Sequence, residues 1–139
     1  MSKGEMSLVP YLHFEGDCEE AVKMYERIFH GKIEGIKRFG EGPMEASESH
    51  KNQVLHALLM LGESSLMASD TFPGAELTKG DNYALSIMLK DEDRAGRIFA
   101  ELAKGGKVIM PFEKQFWGAV FGQLVDRFGI RWMINCENE

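Results

Sequence analysis

The chain states one pattern twice. Gly31-Lys32-Ile33 returns 75 residues later as Gly106-Lys107-Val108, and each tripeptide sits between a helix signal and a strand signal. In the first copy SLVPYLHF reads as a strand, with Pro10 where no ladder donor is needed. DCEEAVKMYERIFHG then reads as a helix: Asp17 suits the N-cap, Glu20 three positions on completes a capping-box pattern, and Gly31 suits a left-handed residue just past its end. Its apolar face is Cys18, Ala21, Val22, Tyr25, Ile28 and Phe29, and KIEGIKRF follows as a strand. In the second copy YALSIMLK is the strand, DEDRAGRIFAELAKGG the helix with Ala95, Ile98, Phe99 and Leu102 on its apolar face, and KVIMPFEK the next strand. A solenoid repeat is 20–50 residues long, so this spacing indicates a duplicated module instead.

Each copy continues with a hairpin. QVLHALLML turns through Gly62-Glu63 into SSLMASD. FWGAVFGQLV turns through Asp126-Arg127-Phe128-Gly129 into IRWMINC, with Gly129 suited to a positive-φ bulge position. The expected architecture is α+β: two βαβββ modules, about 7–72 and 81–137, within a single domain spanning 1–139. EGPMEASESHKN and TFPGAELTKGD are the polar linkers.

Composition sets the outer bounds. A chain of 139 residues with 44% hydrophobic content buries roughly 70% of its unfolded surface and needs no covalent staple. The sixteen Lys and Arg are scattered among acids and the net charge is −6, which argues against a nucleic-acid surface. Cys18 and Cys136 have neither a CxxC partner nor metal-ligand spacing, as expected of a reducing compartment. The opening MSKGEMSLVP lacks a leader's apolar core and VLHALLML is far too short to span a bilayer, so the expectation is a cytoplasmic protein that engages no membrane.

The pair of βαβββ patterns, the D-x-x-x-A-hydrophobic-x-x-Tyr helix and the late DRFG turn resemble the glyoxalase/bleomycin resistance/dioxygenase superfamily (vicinal oxygen chelate). HALLMLGESSLMASD, then FW, then FGQLVDRFGIRWMIN is similar to its PhnB-like branch, from about Leu8 to Asn135. Sequences of that branch often carry the label 3-demethylubiquinone 3-methyltransferase. The resemblance implies curled mixed sheets around an open cup, helices on the convex sides, and homodimers, some with exchanged modules. It also implies that the metal enzymes of the superfamily carry ligands at inward-facing strand positions, which here match Pro10, Ala68, Ser86 and Met133. A proline amide and an alanine offer no donor, and serine and methionine are poor ligands for Zn or Fe(II). The expectation is therefore no metal and no cofactor. A methyl-donor site is not supported either, because no Gly-rich loop follows a strand with an acid downstream; Gly40-Glu41-Gly42 is isolated and precedes no helix.

Among the histidines, His30 is expected at a helix end and His50 in a solvated loop. His13 alternates with Tyr11 as a packed strand residue. His56 interrupts an apolar strand, where it either orients a polar ligand, acts as a base, or is a satisfied buried side chain. His56 and Asp70 form the one pair that suits a divalent metal, with ordinary loop chemistry the blander reading of Asp70. Cys136 lies too near the terminus to suggest a nucleophile.

Residues 116–136 hold both tryptophans. Alternation sends Ile130, Trp132 and Ile134 to one face and Arg131, Met133 and Asn135 to the other. The first set suits a helix, the second a pocket wall; a solvent-exposed Arg131 is the equal alternative. Phe116 and Trp117 are expected to open the preceding strand and to line a pocket or a dimer seam, while Gly118 and Gly122 share a face and leave space for a ligand. The expected ligand-binding residues are thus His56, Ser86, Phe116, Trp117, Arg131 and Met133. The function expected is binding of a small organic ligand in a metal-free cup. The alternatives are a divalent-metal-dependent enzyme of the glyoxalase/dioxygenase type and a dimeric interaction module. The partners expected are a second copy of the chain and a small molecule.

Overall fold

The structure, a computed structural model, describes residues 5–42 and 46–137. Residues 43–45 of the first expected linker, and the first four residues of the opening segment, lie outside that range. Two compact units divide the chain, Met1–Leu77 and Thr78–Glu139. In the first, β1 (Tyr11–Phe14) leads into α1 (Cys18–Phe29), then β2 (Lys32–Arg38), β3 (Val54–Leu61) and β4 (Ser64–Asp70). In the second, β5 (Leu85–Leu89) leads into α2 (Glu92–Ala103), then β6 (Lys107–Lys114), β7 (Val120–Val125) and β8 (Arg131–Cys136). The strand orders are β1-β4-β3-β2 and β5-β8-β7-β6, with β1–β4 and β5–β8 parallel and the other pairs antiparallel. Each unit is a βαβββ module with a four-stranded mixed sheet, as the repeat predicts.

The pleat separates two kinds of face. Leu12, Phe14, Ala57, Leu59, Leu66 and Ala68 are buried with the apolar side of α1. Leu124, Trp132, Ile134 and Cys136 are buried with Ala95, Ile98, Phe99 and Leu102 of α2. The predicted assignment of Ile130, Trp132 and Ile134 to the helix side holds. The opposite face of each sheet carries no helix of its own unit.

The two helices start differently. Asp91 caps α2 as a short polar N-cap should, its carboxylate accepting from Arg94 N–H at 3.1 Å. Asp17 makes no side-chain cap bond at α1, contrary to the capping-box expectation. The acceptor comes from β4 instead: Asp70 Oδ1 takes N–H groups of Gly16 (2.7 Å) and Cys18 (3.0 Å), and Oδ2 takes that of Val54 (2.9 Å). Glu19 in the first turn of α1 receives both guanidinium arms of Arg38, at 2.8 and 3.1 Å.

At the end of α1 the left-handed residue is His30, φ 56°, not Gly31. Gly31 serves a different need. A Cβ there would strike the carbonyl of Met60, and one at Gly106 that of Val125. The repeated glycine marks where the chain leaving each helix crosses against the neighbouring strand. In the second unit the left-handed residue is Gly105, φ 74°.

Three expectations for the closing segment change. β7 begins at Val120, so Phe116 and Trp117 lie in the turn after β6 rather than at the start of a strand; Gln115 N–H donates to the Ala119 carbonyl across that turn at 2.8 Å. Gly118 is a turn residue at φ 101°. Gly122 is buried, where a Cβ would come within 2.7 Å of the Phe99 ring and 2.8 Å of Phe112 Cα. It admits the helix and the bulged β6, and opens no space for a ligand. Gly129 takes the predicted positive φ, at 90°.

Candidate functional site

On the helix-free face of the first sheet the strands bring four polar side chains together. Tyr11 and His13 stand on β1, two residues apart, so they project to the same side. Register places His13 beside Ser69 and Tyr11 beside Met67 on β4. His56 of β3 has Lys37 of β2 as its cross-strand neighbour. The Tyr11 ring lies 5.0 Å from that of His13 and 5.9 Å from that of His56. Tyr11 Oη is 3.3 Å from His56 Nδ1, and Ser69 Oγ is 3.4 Å from His13 Nδ1. Both contacts are long for hydrogen bonds to nitrogen, but they engage the same ring atom in each histidine. Neither Nε2 has a hydrogen-bond partner among the described residues.

The corresponding face of the second sheet is built from softer groups. Ser86 pairs in register with Met133, and Met88 with Asn135. The Met88 thioether lies 3.6 Å from Ser86 Oγ and 3.5 Å from Asn135 Nδ2, both weak donations to sulfur. Arg131 and Met133 are half-buried there, and Arg131 N–H donates to Tyr83 Oη at 3.2 Å. Asp126 in the hairpin turn has its carboxylate committed to Phe128 N–H, Ile130 N–H and Trp132 Nε1–H, at 2.9, 3.0 and 2.9 Å.

The six predicted ligand residues therefore fall in three places. His56 joins Tyr11, His13 and Ser69 in the first unit. Ser86, Arg131 and Met133 share the helix-free face of the second. Phe116, nearly fully exposed, and Trp117, half exposed, form an aromatic knot with Phe121, at ring distances of 5.0 and 5.9 Å. The sequence reading missed Tyr11 and Ser69 altogether and left His13 as ordinary packing. The period-two alternation of Tyr11 and His13 against Leu12 and Phe14 was the available signal. His50 is not a solvated loop residue: it packs edge-on against Phe39 at 4.5 Å, with Nε2 3.0 Å from the Thr71 carbonyl.

The metal fit can be tested on the same geometry. Ala68 faces the helix rather than the open side, and Asp70 is buried beneath α1 with three N–H donors on its carboxylate. His56 lies on the other face of the sheet, so the pair expected to suit a divalent ion is split. Among the described residues no group of three or more His, Cys, Asp or Glu side chains is placed to hold a metal ion. Stable Zn or Fe(II) sites need three or four such donors, so the described residues do not fit one. A cavity of about 310 Å³ in the second unit has Glu92, Glu113, Lys114 and Cys136 on its wall. Burial, with Glu92 and then Asp91 adding to it, raises the Cys136 thiol above its ordinary value, which disfavours the reactive thiolate there. Burial pushes the Cys18 thiol up as well, with Asp70 adding to it. Among the described residues no helix is long and apolar enough to cross a membrane.

Comparison with known proteins bears out the fold. The family described as 3-demethylubiquinone-9 3-methyltransferase matches residues 6–135. Protein YjdN of Escherichia coli (strain K12) is 31% identical over 140 residues, covering 94% of this chain and 95% of that protein. The solved structure of protein PA1353 from Pseudomonas aeruginosa superposes with a TM-score of 0.89 at 38% identity, covering 97% of this chain and all of that one. A PhnB protein from Bacillus cereus gives 0.80 at 27%, covering 94% and 99%. A glyoxylase/bleomycin resistance protein/dioxygenase domain from Frankia sp. EAN1pec shares the fold, with a TM-score of 0.68 at 15% identity over 99% of this chain and all of that one. The chain belongs to the PhnB-like 3-demethylubiquinone-9 3-methyltransferase family, which is structurally related to the glyoxalase/bleomycin resistance/dioxygenase proteins.

Proposed function

We propose that the protein binds a small organic ligand on the helix-free faces of its sheets, without an obligatory metal. The observation that carries this reading is the Tyr11–His13–His56–Ser69 cluster. Polar side chains on a solvated sheet usually diverge into water; here two imidazoles, a phenol and a hydroxyl converge, and the Nε2 atoms remain available. Ser86, Arg131 and Met133 supply a second set of contacts of mixed polarity, and two buried free thiols, Cys18 and Cys136, suit a reducing, cytoplasmic setting. The methyltransferase description of the family finds no supporting site in this sequence, since no Gly-rich strand-to-helix turn is present to hold a methyl donor.

A thermal-shift screen against small acids, amides, thiols and divalent metals tests the reading. Stabilisation by an organic compound that is lost on Tyr11→Phe or His56→Ala supports it. One tightly held metal per chain after chelator-free purification, lost on His56→Ala, would replace it with a metal-dependent enzyme.

A second copy of the chain is also a proposed partner. Val108, Ile109 and Met110 on the edge strand β6 are exposed, as are Phe116 and Trp117 in the turn that follows. Pro111 and the register shifts in β6 hinder strand addition along this edge, which leaves side-chain packing as the mode of contact. Sedimentation at micromolar concentration showing only a 15.7 kDa species would reject it.

A further inference from the structure

We infer that the first unit's cluster recognises an oxyanion, the carboxylate or phosphate-type group of its ligand. The inference rests on the ligand-binding reading above and specifies the chemistry of that site. A phenol is a far better donor than a neutral imidazole N–H, so Tyr11 Oη donates to His56 Nδ1 and fixes the ring proton on Nε2. Ser69 Oγ, on a buried residue, lies 3.4 Å from His13 Nδ1, where either group can be the donor. His56 then presents Nε2–H as a donor, and His13 adds a second imidazole whose Nε2 has no hydrogen-bond partner among the described residues.

Lys37 is the cross-strand neighbour of His56 and adds an ammonium to the row His13–Ser69–His56–Lys37. The nearby carboxylates are engaged elsewhere. Asp70 is turned to the helix side with three N–H donors on it, Glu19 is held by Arg38 and Lys23, and Glu34 pairs with Lys32 at 3.8 Å. Glu15 is exposed beyond the end of β1. A row offering N–H donors and an ammonium with no carboxylate in it is complementary to an acceptor that carries negative charge. The equivalent strand positions in the second unit, Met88 and Asn135, are occupied by a thioether and an amide that satisfy each other, so the donor row is a property of the first unit.

The test is a titration of the intact protein with sodium acetate and, separately, sodium phosphate at constant ionic strength, read by imidazole nitrogen NMR. The expected result is saturable shifts at His13 and His56 with none at His30 or His50. His13→Phe and His56→Phe, which keep a ring but carry no N–H, should each weaken binding roughly tenfold, the loss of one charge-assisted donor. Saturation by acetate alone assigns a carboxylate, and saturation by phosphate alone a phosphate-type group. In the free protein His56 should show the Nε2–H tautomer, and Tyr11→Phe, which keeps the ring, should remove that preference. Equal shifts at all four histidines, or loss of binding on Arg131→Met but not on His56→Phe, overturns the inference. If neutral compounds shift His13 and His56 while neither anion does, the oxyanion assignment fails and the ligand-binding reading stands. If nothing shifts them, both fail.

Discussion

The two units fasten the start of their helices by different means. In the second, Asp91 lies next to the N–H it satisfies, three residues from Arg94. In the first, Asp70 lies 52 residues in sequence from the Cys18 N–H it receives, and the same carboxylate also holds Val54 at the start of β3. Orphan donors at a helix N-terminus need an acceptor in both cases. A local cap secures the helix alone, whereas Asp70 joins the β1–α1 turn, β3 and β4 in one buried knot. The position equivalent to Asp70 at the end of β8 is Cys136, beside Leu89 as Asp70 is beside Phe14. The second unit puts its buried carboxylate in the β7–β8 turn instead, at Asp126. The duplicated pattern thus preserves element order and leaves the fastening free to diverge.

Removing the fastenings gives the largest contrast. Asp70→Ala abandons three N–H groups and should cost about 4 kcal/mol or more, against about 1 kcal/mol for Asp91→Ala, both by urea unfolding. Equal costs would break the distinction between a knot and a cap. The two tryptophans form the next pair. Trp132 is buried and bonded to Asp126, and its truncation to Ala should cost about 3–5 kcal/mol. Trp117→Ala should cost less than about 1 kcal/mol while altering self-association or ligand binding; a large stability loss with both unchanged would place Trp117 in the core after all.

Gly31→Ala and Gly106→Ala probe what the units share. Each should lose about 1–3 kcal/mol from overpacking against the Met60 or Val125 carbonyl. Thermal melts in which one is neutral would show that the close crossing is not common to both units.

A small, pH-dependent effect belongs to the first unit alone. Hydrogen bonds from Arg38, then from Lys23, lower the Glu19 carboxyl from its ordinary 4.5 to about 2. A group depressed in the folded state stabilises above its unfolded value and loses that contribution as pH falls. The pair should therefore help above about pH 4.5 and fade towards pH 2. Because both side chains are about a third exposed, screening limits the gain to about 1 kcal/mol. Acid unfolding of Glu19→Gln should lose that portion of the pH dependence; an unchanged profile would mean that the surface pair contributes nothing.

The amino-acid sequence by itself determined the order of elements, the helix faces and the twofold module, because periodicity, capping residues and glycines act within a few residues of themselves. It also separated Trp132 from Arg131 and Met133, since neighbours on a strand must point opposite ways. Tertiary structure decided the rest. Asp17 looked like the cap of α1, yet the acceptor arrived from β4, because a hydrogen bond depends on proximity in space. Gly122 looked like room for a ligand, yet a helix ring and the next strand fill it. Tyr11, His13, His56 and Ser69 lie on three strands that only pairing register brings together. Beyond the Tyr11–His13 alternation on β1, a cluster of side chains from β1, β3 and β4 has no spacing to betray it, because register is set by the packing of the whole sheet against its helix.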